Sequence, residues 1–212
     1  MKKVFLDKLN KIDKDYYTFA DLLKLWSGTP QSLKVLLSRA VKNGELEKLK
    51  TNIYVLSNKN ISIEKIANKI YYPSYLSFES ALSSYGILSQ IPYVLTFATP
   101  LKTKKIFLRD VRVEYRQVKK DLFFGFVLKS GLCVALPEKA LLDCFYLASK
   151  GMFEMNFRRL NYERVNWKKF NLWLQRYPEK TQKLARKTIE EIKNSNFLPT
   201  GRRVLPVDGS SR

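Results

Sequence analysis

Gln31, Ser32, Lys34, Ser38, Arg39 and Lys42 share one side of a helical repeat, and their chemistry is that of nucleic-acid recognition. Gln and Arg offer paired groups that match adenine and guanine edges, while Lys and Ser more often hold phosphates. Lys48, Lys50, Thr51 and Asn52 follow in and around a turn, placed for a second contact to DNA backbone or minor groove. Far along the chain, Arg158 and Arg159 cluster with Arg164 among Asn156, Asn161 and Tyr162, again a set suited to phosphate. A rival chemistry rests on Asp110 and Glu114, since two-metal nucleases use carboxylates with a lysine near the scissile phosphate. The local pattern opposes it. Glu114-Tyr115-Arg116 has arginine where lysine is needed, and the alternation from Val111 to Arg116 is that of a half-exposed strand.

Other chemistry is excluded by composition. The chain contains no histidine, so it has no Ser-His-Asp triad, no Cys-His pair and no His-ligated metal. Its 8 glycines form neither a dinucleotide-binding fingerprint nor a phosphate-cradling loop. No catalytic residue, metal or cofactor is expected, and the chain reads as a non-enzyme. Cys133 and Cys144 lie in apolar surroundings, as buried thiols of a reducing, cytoplasmic protein would. No basic-then-apolar leader opens the chain. The most apolar stretch, Tyr85 to Leu101, is interrupted by Ser89, Gln90, Pro92 and Pro100, so no membrane span is expected.

The elements that must position the basic residues can be read from local signals. A first helix is predicted from Val4 to Lys14. Thr18 is an N-cap for a short helix Phe19 to Leu25. Thr29-Pro30, a cap followed by proline at the first helical position, starts a third helix that stops at Asn43-Gly44. Leu33, Leu36, Leu37, Ala40 and Val41 form its apolar stripe. Strands Leu46 to Lys48 and Ile53 to Leu56 flank a hairpin turn. Helix, helix, turn, helix, hairpin is the order of a winged helix-turn-helix, whose last helix enters the major groove.

Beyond this the spacing predicts a helix Ile61 to Ile70, ended by Tyr72-Pro73, and another capped by Ser77 and closed by Gly86. Strand-like runs cover Tyr93 to Ala98, Lys105 to Leu108, Val111 to Val118, Phe123 to Val127 and Leu132 to Ala135. Pro137-Glu138 opens a helix on which Lys139 and Asp143 can pair. Glu79 and Glu138 fall in first turns, where a carboxylate meets the helix dipole. Residues from Trp167 to Tyr177 and from Lys180 to Lys193 read as helices, with Trp167, Phe170 and Trp173 in the core. Thr200 to Arg212 lacks periodicity and reads as a tail.

At 212 residues the chain carries 39 Lys and Arg against 19 Asp and Glu, a net charge of +20. Residues 1–57 hold 11 basic and 6 acidic side chains (+5), 58–149 hold 13 and 7 (+6), and 150–212 hold 15 and 6 (+9). The excess is spread along the whole chain, with no single basic tail, and it calls for an anionic partner.

Three blocks of this sequence resemble the AbiEi-type antitoxins of type IV toxin–antitoxin systems. They are the N-terminal segment ending in Gly44-Glu45-Leu46 and Ile53-Tyr54-Val55-Leu56, the stretch Tyr75 to Leu88, and Pro137 to Asp143. The second is similar to the family's Y-[IL]-S-x-E-S-A-L helix and the third to its P-E-K-A-L-L-D helix. Together they span about residues 18 to 149. The family often has histidine just before the glycine of the second block, where this chain has Tyr85. The resemblance implies a transcriptional autorepressor that binds double-stranded DNA at operator inverted repeats. It also implies a C-terminal domain that opposes a nucleotidyltransferase toxin without a stable complex. A phage-defence role, and a monomer or weak dimer cooperative on DNA, go with it.

The expected fold class is α+β: an N-terminal winged helix-turn-helix over 1–57, then a mixed α/β domain with terminal helices over 58–200, and a flexible tail over 201–212. The alternatives are a metal-dependent nuclease and a winged helix used only for protein contacts.

Overall fold

The computed structural model describes residues 2–12 and 14–194. The predicted tail, 201–212, lies outside the described residues. The architecture is mixed α and β.

The N-terminal part begins with helix α1 (Lys2–Lys11), strand β1 (Tyr17–Thr18), α2 (Phe19–Leu25) and α3 (Pro30–Lys42). Strands β2 (Leu46–Lys50) and β3 (Ile53–Leu56) follow and join β1 in an antiparallel sheet of order β1-β3-β2. Phe5 and Leu9 from α1, Leu22 from α2, the α3 stripe Leu33, Leu36, Leu37 and Ala40, and Leu46 and Leu56 from the sheet bury one another. The Tyr17 hydroxyl donates to the Leu9 carbonyl at 2.7 Å and so ties α1 to β1. Thr18 and Asp21 form a capping box at the start of α2. Burial raises the Asp21 carboxyl, but the Lys14 ammonium at 2.8 Å and the Thr18 donors outweigh it and hold the pKa at about 2.

The turn between α2 and α3 is tight because the Trp26 side chain closes over it. The Trp26 indole packs edge-on against Phe5 and donates to the Ser32 hydroxyl at 3.0 Å. That leaves no room at Gly28, where a Cβ would lie 2.6 Å from Trp26 Nε1 and 2.8 Å from Ser32 Oγ. The variant Gly28→Ala is therefore expected to cost about 1–3 kcal/mol by forcing the indole aside. Thermal denaturation of the full chain checks this, and an unchanged midpoint would count against the tight turn.

The larger part begins with α4 (Ile63–Ile70), β4 (Tyr75–Leu76), α5 (Phe78–Ser84), β5 (Val94–Thr99), β6 (Lys104–Leu108) and β7 (Val111–Gln117). It continues with β8 (Phe126–Lys129), β9 (Leu132–Ala135), α6 (Pro137–Ser149), α7 (Trp167–Leu174) and α8 (Glu179–Asn194). Its six strands are ordered β6-β7-β5-β4-β9-β8. β4 runs antiparallel to β5 and parallel to β9, and β5 runs parallel to β7. Helix α6 is buried along nearly its whole length and packs with α5, α7 and α8. That is why residues 140–148 are apolar all round, with Asp143 the one charge among them.

The two parts share a wall. The register of β2 on β3 slips between Lys48 and Lys50, a bulge at Leu49. Leu49, Ile53 and Val55 are buried in the core of the larger part, while Leu46 and Leu56 belong to the smaller core. The turn joining β6 to β7 seals the junction. Arg109 donates its backbone N–H to the Leu49 carbonyl at 3.1 Å, and its guanidinium forms a two-pronged ion pair with Glu47. Lys69 pairs with Asp15 across the same junction.

Several local expectations shift. β1 and the two-residue β4 were not expected, being too short to carry a pattern. Phe123 and Phe124 precede β8 as irregular chain, because the sequence turns at Gly125, which has φ +72°. Ser77 stands at the N-cap of α5 but makes no side-chain cap bond, since its hydroxyl is used elsewhere.

Candidate nucleic-acid interface

Helix α3 is held by its N-cap, with the Thr29 hydroxyl accepting from the Ser32 amide at 3.2 Å, and by the buried stripe beneath it. Gln31, Ser32, Lys34, Ser38, Arg39 and Lys42 are all exposed. Lys34 and Ser38 face the hairpin across a groove of about 360 Å³, lined also by Phe19, Val41, Lys48, Asn52 and Tyr54. Thus four residues named from the sequence, Lys34, Ser38, Lys48 and Asn52, come together on one concave surface.

The hairpin is shaped by its bulge. Leu49 turns into the larger core while Lys48 stays exposed and Lys50 half-buried. Thr51 and Asn52 form the exposed tip. Asn52 has φ +64°, a left-handed conformation that Asn tolerates better than most residues. Its carbonyl accepts from the Phe19 amide at 3.0 Å and anchors the tip to the start of α2.

Ser32 is less free than its exposure suggests. Its hydroxyl donates to the Thr29 carbonyl at 2.8 Å and accepts from Trp26, so its bonding is committed to the turn. Arg158 and Arg159 are built on the larger core, in the short turn Phe157–Arg159 capped by Asn156. Arg158 pairs with Glu191 of α8 at 3.1 Å, and Arg159 is exposed. Tyr54 is a groove residue that the sequence reading missed. It alternates within an apolar strand, and only the packing of α3 over the sheet exposes it to the groove.

The two motif helices meet in the larger part, beside a buried polar network. Asp143 is fully buried and pairs with Lys139 one turn earlier on α6. Its carboxylate also accepts from the hydroxyls of Tyr75 (3.0 Å), Ser77 (2.8 Å) and Tyr177 (3.2 Å). Lys139 donates to Tyr177 at 2.8 Å, and its ammonium lies 5.1–5.5 Å from the ring centres of Tyr75, Phe124 and Tyr177. Burial pushes the Lys139 ammonium below its usual pKa, with Asp143 working against that. Burial and then Asp143 push the Tyr75 and Tyr177 phenols up. With both charges enclosed, the arrangement can hold β4, α6 and the start of α8 together. Glu138, beside it, accepts from the Asn166 amide at 2.8 Å and steadies the start of α7.

The carboxylates raised in the nuclease alternative are not brought together. Asp110 is exposed in the turn before β7, and Glu114 lies four positions on, inside the strand and bound to arginines. Glu114 meets Glu79 of α5 instead, both gripping Arg116. Arg112 adds a contact to Glu114 at 2.5 Å. These cations hold the Glu114 carboxyl below its usual range against the opposing effect of burial. Among the described residues, no helix is long and apolar enough to cross a membrane.

No family model matches the chain, and no curated protein matches it in sequence. The structure is similar to the crystal structure of the RV2827C protein from Mycobacterium tuberculosis, with a TM-score of 0.60. The match covers 88% of this chain and 75% of that one at 13% sequence identity. At that identity the likeness is one of fold.

Proposed function

We propose that this chain is a DNA-binding transcriptional autorepressor, with residues 1–57 acting as a winged helix-turn-helix. The observation that carries the reading is the exposed polar face of α3, set beside a groove whose far wall is the Lys48–Asn52 hairpin. In that arrangement α3 enters the major groove, and the hairpin tip follows the adjacent backbone or minor groove. Arg39 and Gln31 read base edges, and Lys34, Ser38, Lys42, Lys48 and Lys50 hold phosphates. The net charge of +20 supports the same partner.

The likeness of Tyr75 to Leu88 and Pro137 to Asp143 to the AbiEi-type antitoxins extends the proposal. The larger part is then an antitoxin domain that opposes a nucleotidyltransferase toxin encoded alongside, in the cytoplasm and without a lasting complex.

Gel-shift titration of the full chain against the DNA upstream of its own operon tests the DNA-binding reading. Selective binding to an inverted repeat is expected. Arg39→Ala is expected to relax base choice at one position by about 1–3 kcal/mol, whereas Lys50→Ala weakens all sequences alike. Equal affinity for upstream and unrelated DNA would sink the proposal.

A further inference from the structure

Val35 stands in the middle of the exposed face of α3 and is 44% exposed. At 100° per residue, it points within about 30° of the direction opposite the buried stripe of Leu33, Leu36, Leu37 and Ala40. Its neighbours one turn away are Gln31, Ser32, Ser38 and Arg39, all exposed and polar. Helix formation does not favour it, since a β-branched residue is a poorer choice at an exposed helical site than the Lys, Arg or Gln around it. Neither burial in a core nor helix propensity accounts for valine here.

A duplex offers one apolar group to a side chain in this place, the C5-methyl of thymine, which lines the major groove. We propose that Val35 is a specificity-determining residue that reads a thymine methyl, with Gln31 and Arg39 flanking it one turn to either side. The inference rests on the reading of α3 as the base-reading helix. It adds a definite chemistry to the operator: a thymine lies between the bases met by Gln31 and Arg39.

The test selects duplexes from a random-sequence pool with the full chain, then replaces each thymine of the enriched site by uracil in turn. Uracil keeps every hydrogen-bonding group and lacks only the methyl. The wild-type chain is expected to lose about fourfold in affinity at one thymine of each half-site. Val35→Ala is expected to bind the unmodified site about fourfold more weakly and to be indifferent to uracil at that same position. Enrichment followed by wild-type binding that no uracil alters overturns the assignment to Val35 while leaving the base-reading role of α3 intact. So does a Val35→Ala chain that keeps the full uracil penalty. A pool that yields no enriched sequence overturns that role itself, and this assignment with it.

Discussion

Replacing Asp143 with alanine is expected to destabilise the protein by about 3–5 kcal/mol, because it strands a buried ammonium. Lys139 has no exposed surface, and Asp143 supplies its counter-charge in the network. The same substitution leaves the hydroxyls of Tyr75 and Ser77 without their acceptor. A loss of this size is comparable with a third or more of the stability of an ordinary domain, about 5–15 kcal/mol. Urea denaturation followed by far-UV circular dichroism measures it. The double variant Lys139→Met/Asp143→Leu separates charge from packing. Removing both charges spares the desolvation, so it is expected to be more stable than Asp143→Ala alone, though still short of wild type because three hydroxyls lose a partner. A single Asp143→Ala variant within about 1 kcal/mol of wild type would show that the pair is not a structural keystone.

Raising salt from 50 to 200 mM is expected to weaken DNA binding by about 150-fold for a single copy of the chain. The figure follows from Lys34, Lys42, Lys48 and Lys50, the cations of α3 and its hairpin assigned to phosphate. If each displaces one counterion from the duplex, the logarithm of affinity falls with a slope of about −3.6 against the logarithm of salt. Two copies on an inverted repeat would steepen it further. Fluorescence anisotropy with a labelled duplex gives the slope directly. Substituting Lys50 is expected to flatten it by about 1, and a slope steeper than about −3.6 for one copy would enlist Arg158 and Arg159. A slope near zero would remove phosphate contact from the account.

What could be read from the sequence was what local chemistry decides. The bounds of α2 and α3 follow from Thr18, Thr29-Pro30 and Asn43-Gly44, each acting within a few residues, and the structure keeps them. The exposed set on α3 follows from its apolar stripe, which fixes which side faces away from the core. The pairing of Lys139 with Asp143 was legible for the same reason, being one turn of helix. The rest depends on residues far apart in the chain. Ser77 looks like a cap in its own segment, and its hydroxyl goes to Asp143 only because β4 and α6 lie together. Glu79 looks like a dipole partner, and its actual partner, Arg116, is 37 residues away. Leu49 looks like part of a turn, and its burial comes from a bulge against a core formed later in the sequence. Tyr54 joins the groove only through the packing of α3 over the sheet.

The hairpin that closes the smaller core also closes the larger one, through Leu49, Ile53 and Val55. Residues 1–57 are therefore not a transplantable cassette. Cutting the chain after the hairpin would bare those three side chains, and grafting the segment onto another body would ask for a matching socket. Changes that spare both cores are confined to the outer side chains of α3 other than Ser32, which holds Trp26, and to Thr51 at the hairpin tip, since Asn52 is held by its left-handed backbone.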